Sequence, residues 1–164
     1  MPLNPPSTAV AASSAIANTA AATKFSNKKT LPANALKAGD IVRIHYQGIA
    51  TATHTTDTLG LKAFIGATEV AAVAAVDVAD NDIFVGFIDV VIRTAGASGT
   101  CVAAGFGATG AAGTATGKAL YKGSQAIDTT VENDVAIEAT WSAADAGNSC
   151  RLDVLNVQII PAAA

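Results

Sequence analysis

The sequence predicts an all-β fold, a sandwich or barrel of short antiparallel strands with an extended arm in front. Clusters of Pro, Gly, Asn and Asp cut its 164 residues into apolar runs of strand length. Within the clearest runs, apolar and polar side chains alternate with period two. Hydrophobic residues make up 51% of the chain and charged ones 14%, enough to fill one core of ordinary size. Aromatic residues are only 5%, so that core must be built from Val, Ile and a few Phe.

Residues 1–22 form the arm and residues 23–164 the sandwich. No charged side chain occurs in residues 1–23, but Pro2, Pro5 and Pro6 and many Ser, Thr and Asn interrupt the segment, so it is not a transmembrane helix. Residues 8–23 hold enough alanine for a helix by propensity. Their β-branched residues, and the lack of an apolar helical stripe, favour an extended arm or edge strand, with helix as the alternative.

A first strand is expected at 24–31 and a second at 40–50, where Val42, Ile44 and Tyr46 alternate with Arg43, His45 and Gln47. Runs at 58–65 and 69–76 follow. At 83–94, Phe84, Ile88, Val90 and Ile92 share one parity while Asp89 and Arg93 take the other. Strands at 100–106 and 118–129 flank a glycine-rich segment. At 135–141, Val135, Ile137, Ala139 and Trp141 point one way and Glu138 and Thr140 the other. The run 149–160 carries Cys150, Leu152 and Val154 and then changes parity to Leu155, Val157 and Ile159, as a β-bulge would make it do. Pro161, which lacks a ladder donor, ends it.

Composition removes several function classes. The net charge is -3, and the ten Lys and Arg are scattered from Lys24 to Arg151, whereas nucleic-acid binding needs clustered cations. The chain opens with no basic, apolar secretion signal, so Cys101 and Cys150 are expected to be reduced thiols of a protein made in the cytoplasm, acting as small buried hydrophobes.

Chemical motifs fail on their details. Gly105, Gly107 and Gly110 match G-x-G-x-x-G, but the glycines that follow leave no helix to receive a pyrophosphate, so a flexible loop between strands is expected. Gly113 and Gly117 before Lys118 miss the phosphate-loop spacing, and Ala119 replaces its metal-binding hydroxyl. His45 and His54 are the only imidazoles, too few for a zinc site. The acidic turn Asp77, Asp80 and Asp82 lacks the Gly and the terminal Glu of a helical calcium hand, and is expected to be merely solvated. No G-x-S-x-G elbow and no Cys–His framework is present. No enzyme and no cofactor is expected. Trp141 lies on the inward parity of its strand, which makes it a core anchor; a carbohydrate-stacking platform would need it exposed.

Three segments carry a resemblance. Residues 30–48 read TLPANALKAGDIVRIHYQG, residues 89–105 DVVIRTAGASGTCVAAG, and residues 136–157 AIEATWSAADAGNSCRLDVLNV. Together they resemble a jelly-roll module of tailed-bacteriophage structural proteins, most closely capsid decoration, or cement, proteins, over about residues 12–160. The Ala-rich N-terminus and the glycine-rich stretch 105–117 depart from that pattern. The resemblance implies a jelly-roll-like antiparallel β-sandwich on the virion surface, assembled in the host cytoplasm. It also implies binding to the major capsid protein as a dimer or trimer, without cofactor, nucleic acid or membrane. A head-fibre, neck or tail-fibre component is the first alternative, and a carbohydrate-binding module the second. The expected contacts are Leu3, Val10 and Ile16 in the arm, with His45, His54 and Phe106 near loops.

Overall fold

The structure, a computed structural model, describes residues 7–8 and 11–163, and of Ser7 and Thr8 only the backbone. Among these residues there are eleven strands and no helix, and nothing is long and apolar enough to cross a membrane as a helix. The strands are β1 (Ser7–Thr8), β2 (Ile16–Ala17), β3 (Thr23–Leu31), β4 (Ile41–Thr51), β5 (Thr58–Ile65), β6 (Thr68–Asp77), β7 (Asp82–Thr94), β8 (Gly99–Gly110), β9 (Thr116–Ile127), β10 (Asn133–Trp141) and β11 (Ser149–Ile160).

They make two antiparallel sheets. The large one runs β11-β4-β7-β8-β9, with β1 and β2 both paired to the outer side of β11; the small one runs β3-β10-β5-β6. Strand β10 returns to lie between β3 and β5, and β11 returns to lie between the N-terminal strands and β4. These returns are the interleaved Greek keys of a jelly roll. The β8–β9 hairpin extends the large sheet beyond the jelly-roll frame.

Alternation places the core where expected. Val42, Ile44 and Tyr46 of β4, Phe84, Ile88, Val90 and Ile92 of β7, and Val135, Ile137, Ala139 and Trp141 of β10 are all buried between the sheets. Two glycines make room for the largest rings. A Cβ on Gly86 would come within 2.2 Å of the Tyr46 ring, and one on Gly48 within 2.2 Å of Phe84. Because Tyr46 is paired with Gly86 and Gly48 with Phe84, each ring of the β4–β7 ladder lies over the glycine of the neighbouring strand. The bulge in β11 falls between Leu152 and Val154, one step before the expected parity change, and so brings Leu155, Val157 and Ile159 inward.

Two expectations are corrected. Gly105 and Gly107 lie inside β8, not in a flexible loop, and the turn to β9 is confined to residues 111–115. The reason is close backbone approach: a Cβ on Gly105 would stand 2.1 Å from the Phe87 carbonyl oxygen, and one on Gly107 would stand 2.6 Å from Val73 Cγ2. Strand β9 accordingly starts two residues earlier than expected.

The second correction concerns Ile16. It is buried in the chain's own core, 6% exposed, and is not offered to a partner. The segment around it is sewn down. Ser13 donates its amide to the Leu152 carbonyl at 2.8 Å and accepts the Leu152 amide on its Oγ at 3.0 Å, while the Asn18 amide reaches the Asn148 carbonyl. On the other side, the Ser14 amide donates to Ser26 Oγ and Asn27 Nδ2 to the Ala11 carbonyl. Residues 11–18 therefore close the corner between β3 and β11.

Candidate functional site

Aspartates do most of the polar work at the loop ends, and they spend it on backbone. Asp40, just before β4, accepts the Lys37 amide on Oδ2 and the Ala162 amide on Oδ1. Asp82, at the start of β7, accepts the Ala79 amide at 2.8 Å in the same i−3 pattern. A small apolar pocket of about 330 Å³ between residues 32–40 and 159–162 contains Asp40, but that carboxylate is already used as a turn clamp. Asp80, in the acidic turn, accepts from Thr51. Among the described residues, no three His, Cys, Asp or Glu side chains converge as metal ligands would.

The two histidines are placed on different features. His54 sits in the loop after β4, largely exposed, with Nε2 3.2 Å from Asp145 Oδ2. His45 projects from the outer face of β4 and stacks on Phe87, with ring centroids 4.2 Å apart and planes 9° from parallel. Partial burial lowers its pKa from the ordinary imidazole range. Both thiols are free and buried; burial raises the Cys101 pKa and pushes that of Cys150 up to about 12. Trp141 is 2% exposed, and its indole N–H, without a regular partner, lies beside the soft Cys150 sulfur. Trp141 therefore offers no surface on which a sugar could stack.

The outer face of the large sheet is a different environment. Cα pairing across β11, β4, β7, β8 and β9 lays side chains in rows on that face. One row reads Asn156, His45, Phe87, Phe106, Ala119. The next reads Gln158, Arg43, Asp89, Ala104, Tyr121, and beyond it stand Ile160, Ile41, Val91 and Val102. On the other side of the aromatic row lie Val85 and the exposed Gln47, followed by Ile83 and Ile49. Phe87 is 50% exposed, Phe106 45% and Tyr121 79%. Phe106 thus lies in a strand interior, not beside a loop as expected, and its ring spreads over Gly117, where any Cβ would collide with it.

Within this apolar field sits one ion pair. Arg43 binds Asp89 in bidentate fashion at 2.8 and 2.9 Å, and its guanidinium holds the Asp89 carboxyl below the usual range. A shallow open cleft of about 500 Å³ runs along Arg43, Phe87, Asp89, Ala104 and Phe106.

Of the expected contact residues, His45 and Phe106 come together on this face, His54 stands at a loop, Ile16 is buried, and Leu3 and Val10 lie outside the described residues. Phe87, Tyr121 and the Arg43–Asp89 pair were not singled out from sequence. A signal for them existed. In residues 83–94, Ile83, Val85, Phe87 and Val91 make the supposedly solvent-facing parity apolar as well, the pattern of a strand covered on both faces.

No protein-family model matches the chain, and no curated protein sequence does. Among solved structures it is similar to the lectin I-B4 from Griffonia simplicifolia in its metal-free form, with a TM-score of 0.38 and 9% identity over 84% of this chain and 79% of that one. At that score and identity the likeness says nothing about ligand or activity.

Proposed function

We propose that this chain is a structural protein of a tailed-phage particle, a decoration protein that binds the outside of the capsid and clamps its major subunits. The observation that carries the reading is the outer face of the large sheet. It is five strands wide, with the half-exposed rings of Phe87 and Phe106 on the two strands β7 and β8 that are paired on both sides, among Val, Ile and a few polar side chains around the Arg43–Asp89 pair. Such a face suits burial against protein: interface cores are enriched in aromatic residues and Arg. The resemblance of residues 30–48, 89–105 and 136–157 to phage jelly-roll modules supplies the particle.

The mechanism needs no reaction. A protein that binds only the assembled shell stabilises it by mass action, by about 2.7 kcal/mol per site when its free concentration is about 100-fold above the dissociation constant. The test is immunogold labelling of phage particles with antibody against the purified chain. Gold over the heads is the expected outcome. Gold confined to the neck or tail would move the chain to the fibre alternative, and unlabelled particles would overturn the reading.

A further inference from the structure

We propose that the apolar pocket at the end of β11 is the seat of this chain's own Leu3, which closes the seam between the two sheets. Leu3 lies outside the described residues, and it is the register of β1 that assigns its seat.

The seam runs between β3, an edge of the small sheet, and β11 of the large one. Residues 11–18 fill one half of it. Ser13 and Ile16 are buried there, and Ser13 is bonded twice to Leu152. Across from them, Ser26 of β3 accepts the Ser14 amide and Asn27 donates to the Ala11 carbonyl. The segment therefore runs antiparallel to both strands, its numbers falling as those of β3 and β11 rise. Further along the same seam stands the pocket, about 330 Å³, walled by Pro32, Ala35 and Ala38 on one side and Ile159, Pro161 and Ala162 on the other. Both oxygens of its Asp40 are spent on backbone amides, and Lys37, which also borders it, is exposed. What remains for a guest is apolar surface.

Register names the guest. Ser7 pairs with Val157 and Thr8 with Asn156. Each step back along the arm is matched by one step forward along β11, which sets position 5 opposite Ile159 and position 3 opposite Pro161. Directly opposed residues of an antiparallel pair share a face, as do residues two apart. Ile159 faces the core, 8% exposed, so positions 5 and 3 take the inward side. They are Pro5 and Leu3. Reach agrees, because four extended residues from Ser7 cover about 13 Å, the same span as the four from Val157 to Pro161. Proline favours extended backbone but brings no ladder donor, so apolar burial must hold this end.

The seat belongs to the same molecule because Ser7 is already paired on its own β11, which brings the residues next to it to this pocket first. Composition fits as well. Residues 1–23 carry no charged side chain, as suits a segment laid into a seam between apolar edges, where an unpaired charge would be costly.

The test is a methyl NOE spectrum of the full chain labelled at its Leu and Ile methyl groups. Leu3 is assigned by the signal lost in Leu3→Ala, and Ile159 by the one lost in Ile159→Val, a mild core change. The expected result is a cross-peak between Leu3 and Ile159, together with a melting temperature at least about 4 °C lower in Leu3→Ala, as for truncating a buried leucine in a chain of this size. Leu3 methyls without a cross-peak to Ile159 would overturn the inference, as would a Leu3→Ala melt that coincides with the parent's. Cross-peaks seen only between differently labelled copies in a mixed sample would do the same, since they give the seat to a neighbouring molecule. Immunogold labelling of phage heads decides the capsid reading separately.

Discussion

Single side chains in this protein are mostly justified by what they touch, and several make sharp predictions. Asp40→Ala removes the acceptor for two amides, those of Lys37 and Ala162, at a buried position. Leaving such donors unmet costs about 1–3 kcal/mol, which urea denaturation would detect as a lower midpoint with unchanged slope. Gly86→Ala drives a methyl group into the Tyr46 ring and is expected to cost about 1–3 kcal/mol. Gly123→Ala, in the open edge strand β9 with nothing near its Cβ, should stay within about 0.5 kcal/mol of the parent in the same assay. Cys150, raised to about 12 and buried, should resist alkylation at neutral pH while the chain is folded and react once urea unfolds it, as read by mass spectrometry. The roles of Trp141 and Cys150 as core residues were legible in the sequence, since their parity is unambiguous. The role of Gly117 was not, because its reason is the Phe106 ring, which arrives from the neighbouring strand.

Elements were legible to the extent that their faces differ in polarity. Strands β4, β10 and β11 emerge from alternation almost residue for residue, and the β11 bulge declares itself as a parity change. Strand β8 was read too short. Glycine signals turns in a local reading, whereas Gly105 and Gly107 are required by the backbone of β7 and by Val73 of the opposite sheet, information that no local window holds. The outer face of β7 was hidden for the opposite reason: when both parities are apolar, alternation no longer tells inside from outside. The N-terminal segment divides at a boundary that composition does not mark. Removing residues 1–10 takes away the short β1 pairing with β11 but spares Ser13 and Ile16, and should lower the melting temperature less than the longer truncation does. Removing residues 1–22 takes away a buried Ile and both Ser13 bonds to Leu152, and should cost at least about 2 kcal/mol. Thermal melts of the two truncations distinguish them, and any loss of particle binding by the longer one must be judged against its stability.

At the scale of the whole molecule, the two sheets are joined by apolar burial, with a polar clasp along one edge. Glu69 of β6 accepts from Lys62 of β5 at 2.9 Å and from Lys122 of β9 at 2.6 Å, tying the small sheet to the large one, and both lysines hold the Glu69 carboxyl below its ordinary range. Acid should therefore loosen the sandwich in two stages. The His45 pKa is lowered in the folded state, so the unfolded chain binds that proton first, and stability begins to fall as pH drops through the ordinary imidazole range. Glu69, Asp89 and Asp134 also have lowered values, held by Lys122 and Lys62, Arg43 and Lys28 respectively; what they contribute is present above the ordinary carboxylate range and is lost as pH falls below it. Melting temperature against pH should show both declines, and His45→Gln should remove the first. The jelly-roll arrangement itself has a consequence in time. Ser13 can make its two bonds only with Leu152, 139 residues further along. On the ribosome the segment around Ser13 can meet Ser26 and Asn27 of β3 early, but the corner it seals closes only once β11 has been synthesised. A chain that stalls before β11 would leave β1 and β2 without their partner and one edge of β4 bare.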